Sequence, residues 1–259
     1  MNQHLKAKKS LGQHFLRDRN MILKIVESLE AGSADRVIEI GPGDGALTEF
    51  LVGRYEDLTV IEIDSRMISL LREKYPALSI SESDVLKTDW VSLLHDDKPT
   101  HVIGNLPYYI TSQILFSILE KREKIHSALL MMQAEVAERI VSEPGRKEYG
   151  ILSVQCQLMS RPEILFRVPP SVFSPAPKVQ SAVVRFTFNK PPLGCSDVHL
   201  KKVVRTAFNQ RRKKLSNSLK PLNIQLPEDS FDFSKRPEAW PPEMYETLTA
   251  YLEQLGTFD

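Results

Sequence analysis

Short β-branched runs alternate with segments of helical apolar spacing from Met21 to Val141, and this restricts the chain to few architectures. The runs Arg36–Ile40, Leu58–Ile63, Leu78–Ser81, Thr100–Gly104 and Ser127–Met132 read as strands. Helices are expected over Met21–Leu29, about 46–52, through Met67 and Leu71, over Thr111–Leu119 and over Ala134–Val141. Such regularity predicts a parallel sheet with helices on both faces, an α/β fold. Ligands of such sheets bind beyond the carboxyl ends of the strands, near the switch in strand order. The residues with the most chemistry fall at those ends: Gly41-Pro42-Gly43-Asp44-Gly45, Glu62, Asp84 and Asn105-Leu106-Pro107-Tyr108. After Arg161 the pattern changes. Ile164–Val168 and Val179–Phe188 read as an antiparallel pair at the sheet edge, separated by a stretch too proline-rich for a central strand. A linker from Asn189 to Gly194 then leads to a helical tail, with helices expected over about 197–209, 211–220 and 241–255.

A chain of 259 residues has room for one large α/β domain and a smaller one. The reading gives an arm over 1–20, a main domain over 21–188 and a helical domain over 195–259. No run approaches the roughly 18 apolar residues that span a membrane. No apolar segment follows the lysines of the arm, so a secretory signal is not expected. Two cysteines without C-x-x-C spacing argue against a disulfide framework or a metal site and fit a reducing cytoplasm. The net charge of +1 hides an uneven distribution. His199–Lys220 carries eight Lys/Arg and no acid, the first 19 residues carry five against one Asp, and Glu228–Glu253 is acidic. Basic blocks on a near-neutral chain point to a local polyanion-binding surface.

The glycine turn removes side chains where a backbone approaches a ligand and a helix begins. Gly41-x-Gly43-x-x-Ala46 with Glu62 downstream also fits a dinucleotide site, so a nicotinamide enzyme is a rival at this point. Glu39, two residues before the first glycine, is an acid where a pyrophosphate would be repelled, whereas a sulfonium amino acid carries positive groups. Asp84 is suited to an adenine amino group. Asn105-Leu106-Pro107-Tyr108 offers two acceptors, a stiff turn and an aromatic face, which suit a planar ring with an exocyclic amine. This combination favours S-adenosylmethionine over a nicotinamide.

The chain resembles the rRNA adenine dimethyltransferases of the KsgA type. The resemblance rests on Leu11-Gly12-Gln13-His14-Phe15-Leu16, Glu39-Ile40-Gly41-Pro42-Gly43, Val60-Ile61-Glu62-Ile63-Asp64 and Asn105-Leu106-Pro107-Tyr108. Further matches are Gln133-Ala134-Glu135-Val136-Ala137-Glu138-Arg139, Val168-Pro169-Pro170 through Pro177-Lys178-Val179, and Ala207-Phe208-Asn209-Gln210-Arg211-Arg212-Lys213-Lys214-Leu215. The order is kept nearly end to end. The resemblance implies a Rossmann-like methyltransferase sheet with a small all-helical C-terminal domain. It implies that His14, Leu16, Gly41, Glu62, Asp84 and Asn105 enclose the cofactor, with Glu62 on the ribose and Asp84 on the adenine amine. Many relatives carry asparagine at the position of His14.

The same resemblance implies methylation of two adjacent adenosines near the 3′ end of 16S rRNA, on a precursor of the small ribosomal subunit. Asn105 and Leu106 would accept from the target amine, and Tyr108 and Phe173 would flank the extruded base. The tail cations Arg205, Arg211, Arg212, Lys213 and Lys214 would contact RNA. A monomer working in the cytoplasm without metal or membrane is expected. The competing readings are a resistance-type methyltransferase of large-subunit rRNA and a non-catalytic ribosome-assembly factor.

Overall fold

A computed structural model describes residues 7–8, 11–95, 97–223 and 230–258. Ser10, the start of the arm and Glu228 lie outside the described residues. The chain divides into two units that are interleaved in sequence: Met1–Ala137 with Glu163–Phe188, and Glu138–Pro162 with Asn189–Asp259. Residues 138–162, which the sequence reading placed in the main domain, group with the tail.

The first unit is built on a seven-stranded sheet. Its strands are β2 (Arg36–Ile40), β3 (Asp57–Glu62), β4 (Ser79–Glu82), β5 (Thr100–Asn105), β6 (Ser127–Gln133), β7 (Arg161–Val168) and β9 (Ser181–Thr187). The spatial order is β4-β3-β2-β5-β6-β9-β7. The strands from β4 to β6 run parallel and β9 is antiparallel to β6. β7 and β9 lie side by side at one edge, as the sequence led us to expect. β2, β5 and β6 are buried along nearly their whole length, which is why they read as continuous apolar runs. β4, at the other edge, is polar and partly exposed.

Register positions the site. Ile40 pairs with Ile61 on one side and Gly104 on the other, so β2, β3 and β5 end level with one another. From β2 the chain steps outward through β3 to β4, then returns to the opposite side of β2 as β5. The switch in strand order therefore lies between β2 and β5, where Gly41 and Asn105 emerge. Gly104 permits the close approach, because a Cβ there would lie 2.7 Å from the Ile40 carbonyl oxygen.

Helices α1 (Arg19–Glu27), α2 (Thr48–Leu51), α3 (Ser65–Lys74), α4 (Trp90–Leu93) and α5 (Thr111–Leu119) belong to this unit. Asp18, Asp64 and Asp89 cap α1, α3 and α4 by accepting from backbone N–H groups. A second sheet was not expected. It pairs β1 (Phe15–Leu16) with β8 (Phe173–Ser174) in antiparallel register, Leu16 opposite Phe173. Leu16 and Phe173 join Ile25, Val37, Leu51 and Ile103 in one buried apolar cluster.

The second unit contains α7 (Ile151–Met159), α8 (Asp197–Asn209), α9 (Leu215–Ser218) and α10 (Pro242–Gln254), and α6 (Ala134–Val141) leads into it. Leu200, Val203, Val204, Tyr245, Leu248 and Leu252 form its buried face. Tyr149 donates to the Trp240 carbonyl at 2.9 Å, and Gln157 Nε2 donates to the carbonyls of Ile140 and Ser142. Helix α7 had no sequence expectation: it is buried on most sides, so no polar face marks its period. The helix expected over 211–220 is corrected to a turn and the single helical turn of α9. Four consecutive cations repel one another in a helix, and Ser216, Asn217 and Ser218 are weak helix formers. Among the described residues, no helix is long and apolar enough to cross a membrane, and no His/Cys/Asp/Glu group is placed to hold a metal.

Candidate active site

The carboxyl ends of β2, β3, β4 and β5 and the arm enclose a cleft of about 250 Å³. All eight residues expected to meet the cofactor line it: His14, Leu16, Glu39 and Gly41 on one part of the wall, Gly43, Glu62, Asp84 and Asn105 on the rest. Leu106, Pro107 and Tyr108 line it as well.

The glycine turn is held open by a strand-end acid. Glu62 Oε2 accepts from Gly43 N at 3.2 Å, and Oε1 accepts from the backbone N–H groups of Ile63 and Asp64, each at 2.8 Å. Gly43 has φ +55°, and a Cβ would lie 3.1 Å from the Phe15 ring, so the arm packs directly on this turn. Glu39 is buried beneath it and accepts from Thr48 Oγ1 at 2.7 Å. Burial pushes its carboxyl up to about 8, outweighing the Thr48 hydrogen bond. Burial also raises Glu62 against three backbone hydrogen bonds that lower it. Neither acid forms an ion pair with a cation among the described residues. Two buried, unpaired acids fit a ligand with positive groups and no phosphate, as a sulfonium amino acid has. Asp84 uses one carboxylate oxygen to accept from Leu86 N at 3.0 Å, which shapes its turn.

On the other side, Asn105 Nδ2 donates to the His14 carbonyl at 3.1 Å. With Nδ2 committed, the amide oxygen is the end that remains to accept from a ligand. Leu106 N donates to the Met131 carbonyl, which ties the loop to β6. The Pro107 carbonyl accepts from Thr111 Oγ1 and Ile110 N at the start of α5. Tyr108 bonds through its hydroxyl to Ser181 Oγ at 2.7 Å, and its ring stacks on His14 with centroids 5.5 Å apart. His14 Nδ1 donates to the Pro175 carbonyl at 2.7 Å.

Phe173, expected as a second aromatic face for the base, is 5% exposed and packs beside Leu16 in the apolar cluster, next to the arm rather than in the cleft wall itself. Its place opposite Leu16 in the β1–β8 pair turns it into the core. His14 is the ring found against Tyr108, and Tyr109, 59% exposed, joins the cleft lining. Asp64 entered the sequence reading only as the last residue of the Val60–Asp64 motif. Its side chain is fully buried and accepts from Lys8, Gln13 and Arg66. Its position two residues beyond Glu62 was the available signal.

The tail cations belong to the second unit. Arg205, Arg212, Lys213 and Lys214 are exposed, whereas Arg211 donates to the Arg146 carbonyl at 3.1 Å and approaches Glu238 at 3.6 Å.

Residues 4–232 match the family model described as ribosomal RNA adenine dimethylase. A ribosomal RNA small subunit methyltransferase A of Porphyromonas gingivalis is 49% identical over 256 residues, covering 96% of this chain and 99% of the relative. The protein of that name from Salinibacter ruber is 48% identical, covering 98% and 87%. Among solved structures, a dimethyladenosine transferase from Plasmodium falciparum aligns with TM-score 0.79 at 26% identity, covering 94% of this chain and 98% of that one. The 23S rRNA methyltransferase ErmE aligns with TM-score 0.68 at 28% identity, covering 93% and 100%. The fold, the acid-lined cleft and these matches agree: the chain belongs to the ribosomal RNA adenine dimethylase family.

Proposed function

We propose that this protein methylates the exocyclic amines of two adjacent adenosines near the 3′ end of 16S rRNA, during assembly of the small ribosomal subunit. The observation that carries the reading is the Asn105 amide, fixed by the His14 carbonyl with its oxygen left to accept, at the switch point beside two unpaired acids. The small-subunit assignment is supported by relatives of that name at 48–49% identity.

Bound S-adenosylmethionine supplies an activated methyl group. Glu62 and Asp84 are assigned to its ribose and adenine, and a positive group bound near Glu39 would favour loss of the proton that burial otherwise holds on it. The amide oxygen of Asn105 and the Leu106 carbonyl accept the two N–H bonds of the target amine. An adenine amine is a poor nucleophile because its lone pair is delocalised into the ring. Two acceptors draw the nitrogen toward a tetrahedral shape and localise that pair. Positioning then does most of the remaining work. The amine would form the new C–N bond as the methyl–sulfur bond of the donor breaks, its electron pair staying on sulfur as a neutral thioether, and the amine proton would leave afterwards to water, so no general base is assigned. After one transfer a single N–H remains to hold the monomethyl product for the second. Tyr108 is assigned the stacking face for the extruded base.

In this reading the arm (1–20) closes over the cofactor, 21–188 carries the chemistry and 195–259 grips RNA through Arg205, Arg211, Arg212, Lys213 and Lys214. The protein works as a cytoplasmic monomer without a metal, since the chemistry calls for none.

The test incubates the protein with labelled S-adenosylmethionine and unmethylated small or large subunits, then identifies the nucleoside formed. Dimethyladenosine from small-subunit rRNA alone is expected. Transfer to the large subunit would support the resistance-type reading instead, and no transfer to either would support a binding factor. Asn105→Ala is expected to lower turnover by about 100-fold or more while RNA binding is kept. Turnover retained in that variant would overturn the role given to the loop.

A further inference from the structure

The arm meets the cleft through consecutive residues with different partners. Gln13 Nε2 donates to Asp64 Oδ2 at 3.1 Å, while the carbonyl of the next residue, His14, accepts from the Asn105 amide. Asp64 is a rigid anchor. It caps α3, its side chain is fully buried, and Arg66 grips it through Nε at 3.1 Å and Nη2 at 2.6 Å. Its own N–H donates to Glu62, so anchor and candidate ribose ligand share one turn. Lys8 adds a second tie, with Nζ 3.0 Å from Asp64 Oδ1 and its backbone N–H donating to Gln13 Oε1 at 2.8 Å. The Arg66 hydrogen bonds, with smaller help from Lys8 and Gln13, hold the Asp64 carboxyl well below the usual range despite its burial.

We propose that Gln13, anchored on Asp64, is a positioning residue that sets the register of the arm, and through the His14 carbonyl the orientation of the Asn105 amide. The inference rests on the reading of Asn105 as the acceptor for the target amine. A planar amide can turn either its oxygen or its NH₂ toward the amine, and only the oxygen accepts. The His14 carbonyl selects between them, because it can only accept from Nδ2. That carbonyl stands in place because Gln13 is held on one side and β1 pairs with β8 on the other. Gln13 lines the cleft beside His14, and in this role it acts through the arm to decide which end of Asn105 faces the target amine.

Polarity reversal provides the test. Gln13→Glu sets one carboxylate against another and breaks the anchor. Combining Gln13→Glu with Asp64→Asn restores a donor–acceptor pair with the roles exchanged: the new amide donates to the new carboxylate, which also replaces Oδ2 as acceptor for Arg66 Nη2, and asparagine caps a helix as well as aspartate does. Turnover at saturating cofactor, binding of S-adenosylhomocysteine and thermal midpoint are measured for the wild type, the single variant and the pair. For Gln13→Glu, turnover is expected to fall by about tenfold, the worth of one hydrogen bond to a charged group, with the melting midpoint kept. In the pair, turnover is expected to return to within about threefold of the wild type.

Wild-type turnover and S-adenosylhomocysteine affinity in Gln13→Glu would overturn the proposal, as would a pair no more active than the single variant. An equal loss in both variants that followed melting temperature would mark Gln13 as merely structural and also overturn it. Failure of the functional reading is seen separately, in a wild-type protein that binds S-adenosylhomocysteine but methylates neither subunit. The anchor is then judged on that affinity alone: weakening in Gln13→Glu with recovery in the pair supports it, and its absence overturns it.

Discussion

Glu39 shows how one residue can cost stability where it serves a site. It is 1% exposed, has Thr48 as its hydrogen-bond donor, and keeps its proton up to about pH 8 because burial disfavours the charge. In the unfolded chain the same carboxyl ionises near its ordinary value of 4.5. Below that value both states hold the proton and pH has no effect through this group. Between 4.5 and about 8 the unfolded state releases the proton and the folded state keeps it, so stability falls as pH rises. Above about 8 the loss is complete. Glu39→Gln is therefore expected to raise the melting midpoint relative to wild type by several degrees more at high pH than at low pH. Paired thermal melts at about pH 5 and about pH 9 check the sign. The sequence made the presence of an acid before the glycines legible, and with it the argument against a pyrophosphate. Its charge state was not legible, because that depends on what β2, α2 and Glu62 place around it. The burial of Phe173 was hidden for the same kind of reason: its type suited a stacking face, while its pairing with Leu16 joins strands far apart in sequence.

At the scale of elements, local pattern succeeded where burial was simple. β2 was expected over Arg36–Ile40 and is found there, since a strand buried on both faces reads as one apolar run. The two-residue strands β1 and β8 left no such mark, as their pairing depends on partners far apart in sequence. The run 211–220 misled because helix neighbours surrounded it, while its own like charges opposed a helix. Gly104 was read only as part of a buried run, yet it sets the spacing of β2 and β5. An added Cβ would meet the Ile40 carbonyl oxygen at 2.7 Å and Ile40 Cβ at 3.2 Å, both on a neighbouring central strand. Gly104→Ala is expected to destabilise the protein by about 1–3 kcal/mol and to weaken cofactor binding by displacing the Gly41 turn from Asn105. Urea titration and calorimetric binding of S-adenosylhomocysteine measure the two effects.

At the scale of the whole molecule, the near-zero net charge conceals a division of labour. The cleft is lined with acids, while the exposed cations Arg205, Arg212, Lys213 and Lys214 sit on the helical unit. Replacing Arg212, Lys213 and Lys214 with alanine is expected to weaken rRNA binding and make it less sensitive to salt. The slope of log affinity against log salt should flatten by about 0.7–0.9 for each phosphate that is no longer neutralised. Affinity for S-adenosylhomocysteine should stay unchanged. Filter binding across a salt series, beside calorimetry, separates the two. The interleaving of the units bears on how the protein is made. β1 leaves the ribosome before its partner strand β8, which lies beyond the segment 138–162 of the other unit. Until then β1 is tied by the contacts to Asp64 and Asn105 made through Gln13 and His14, and the sheet core lacks its last two strands. β1 gains its partner strand only when residue 174 has emerged, so a partly made chain carries the glycine turn and the Asn105 loop before that pairing can form.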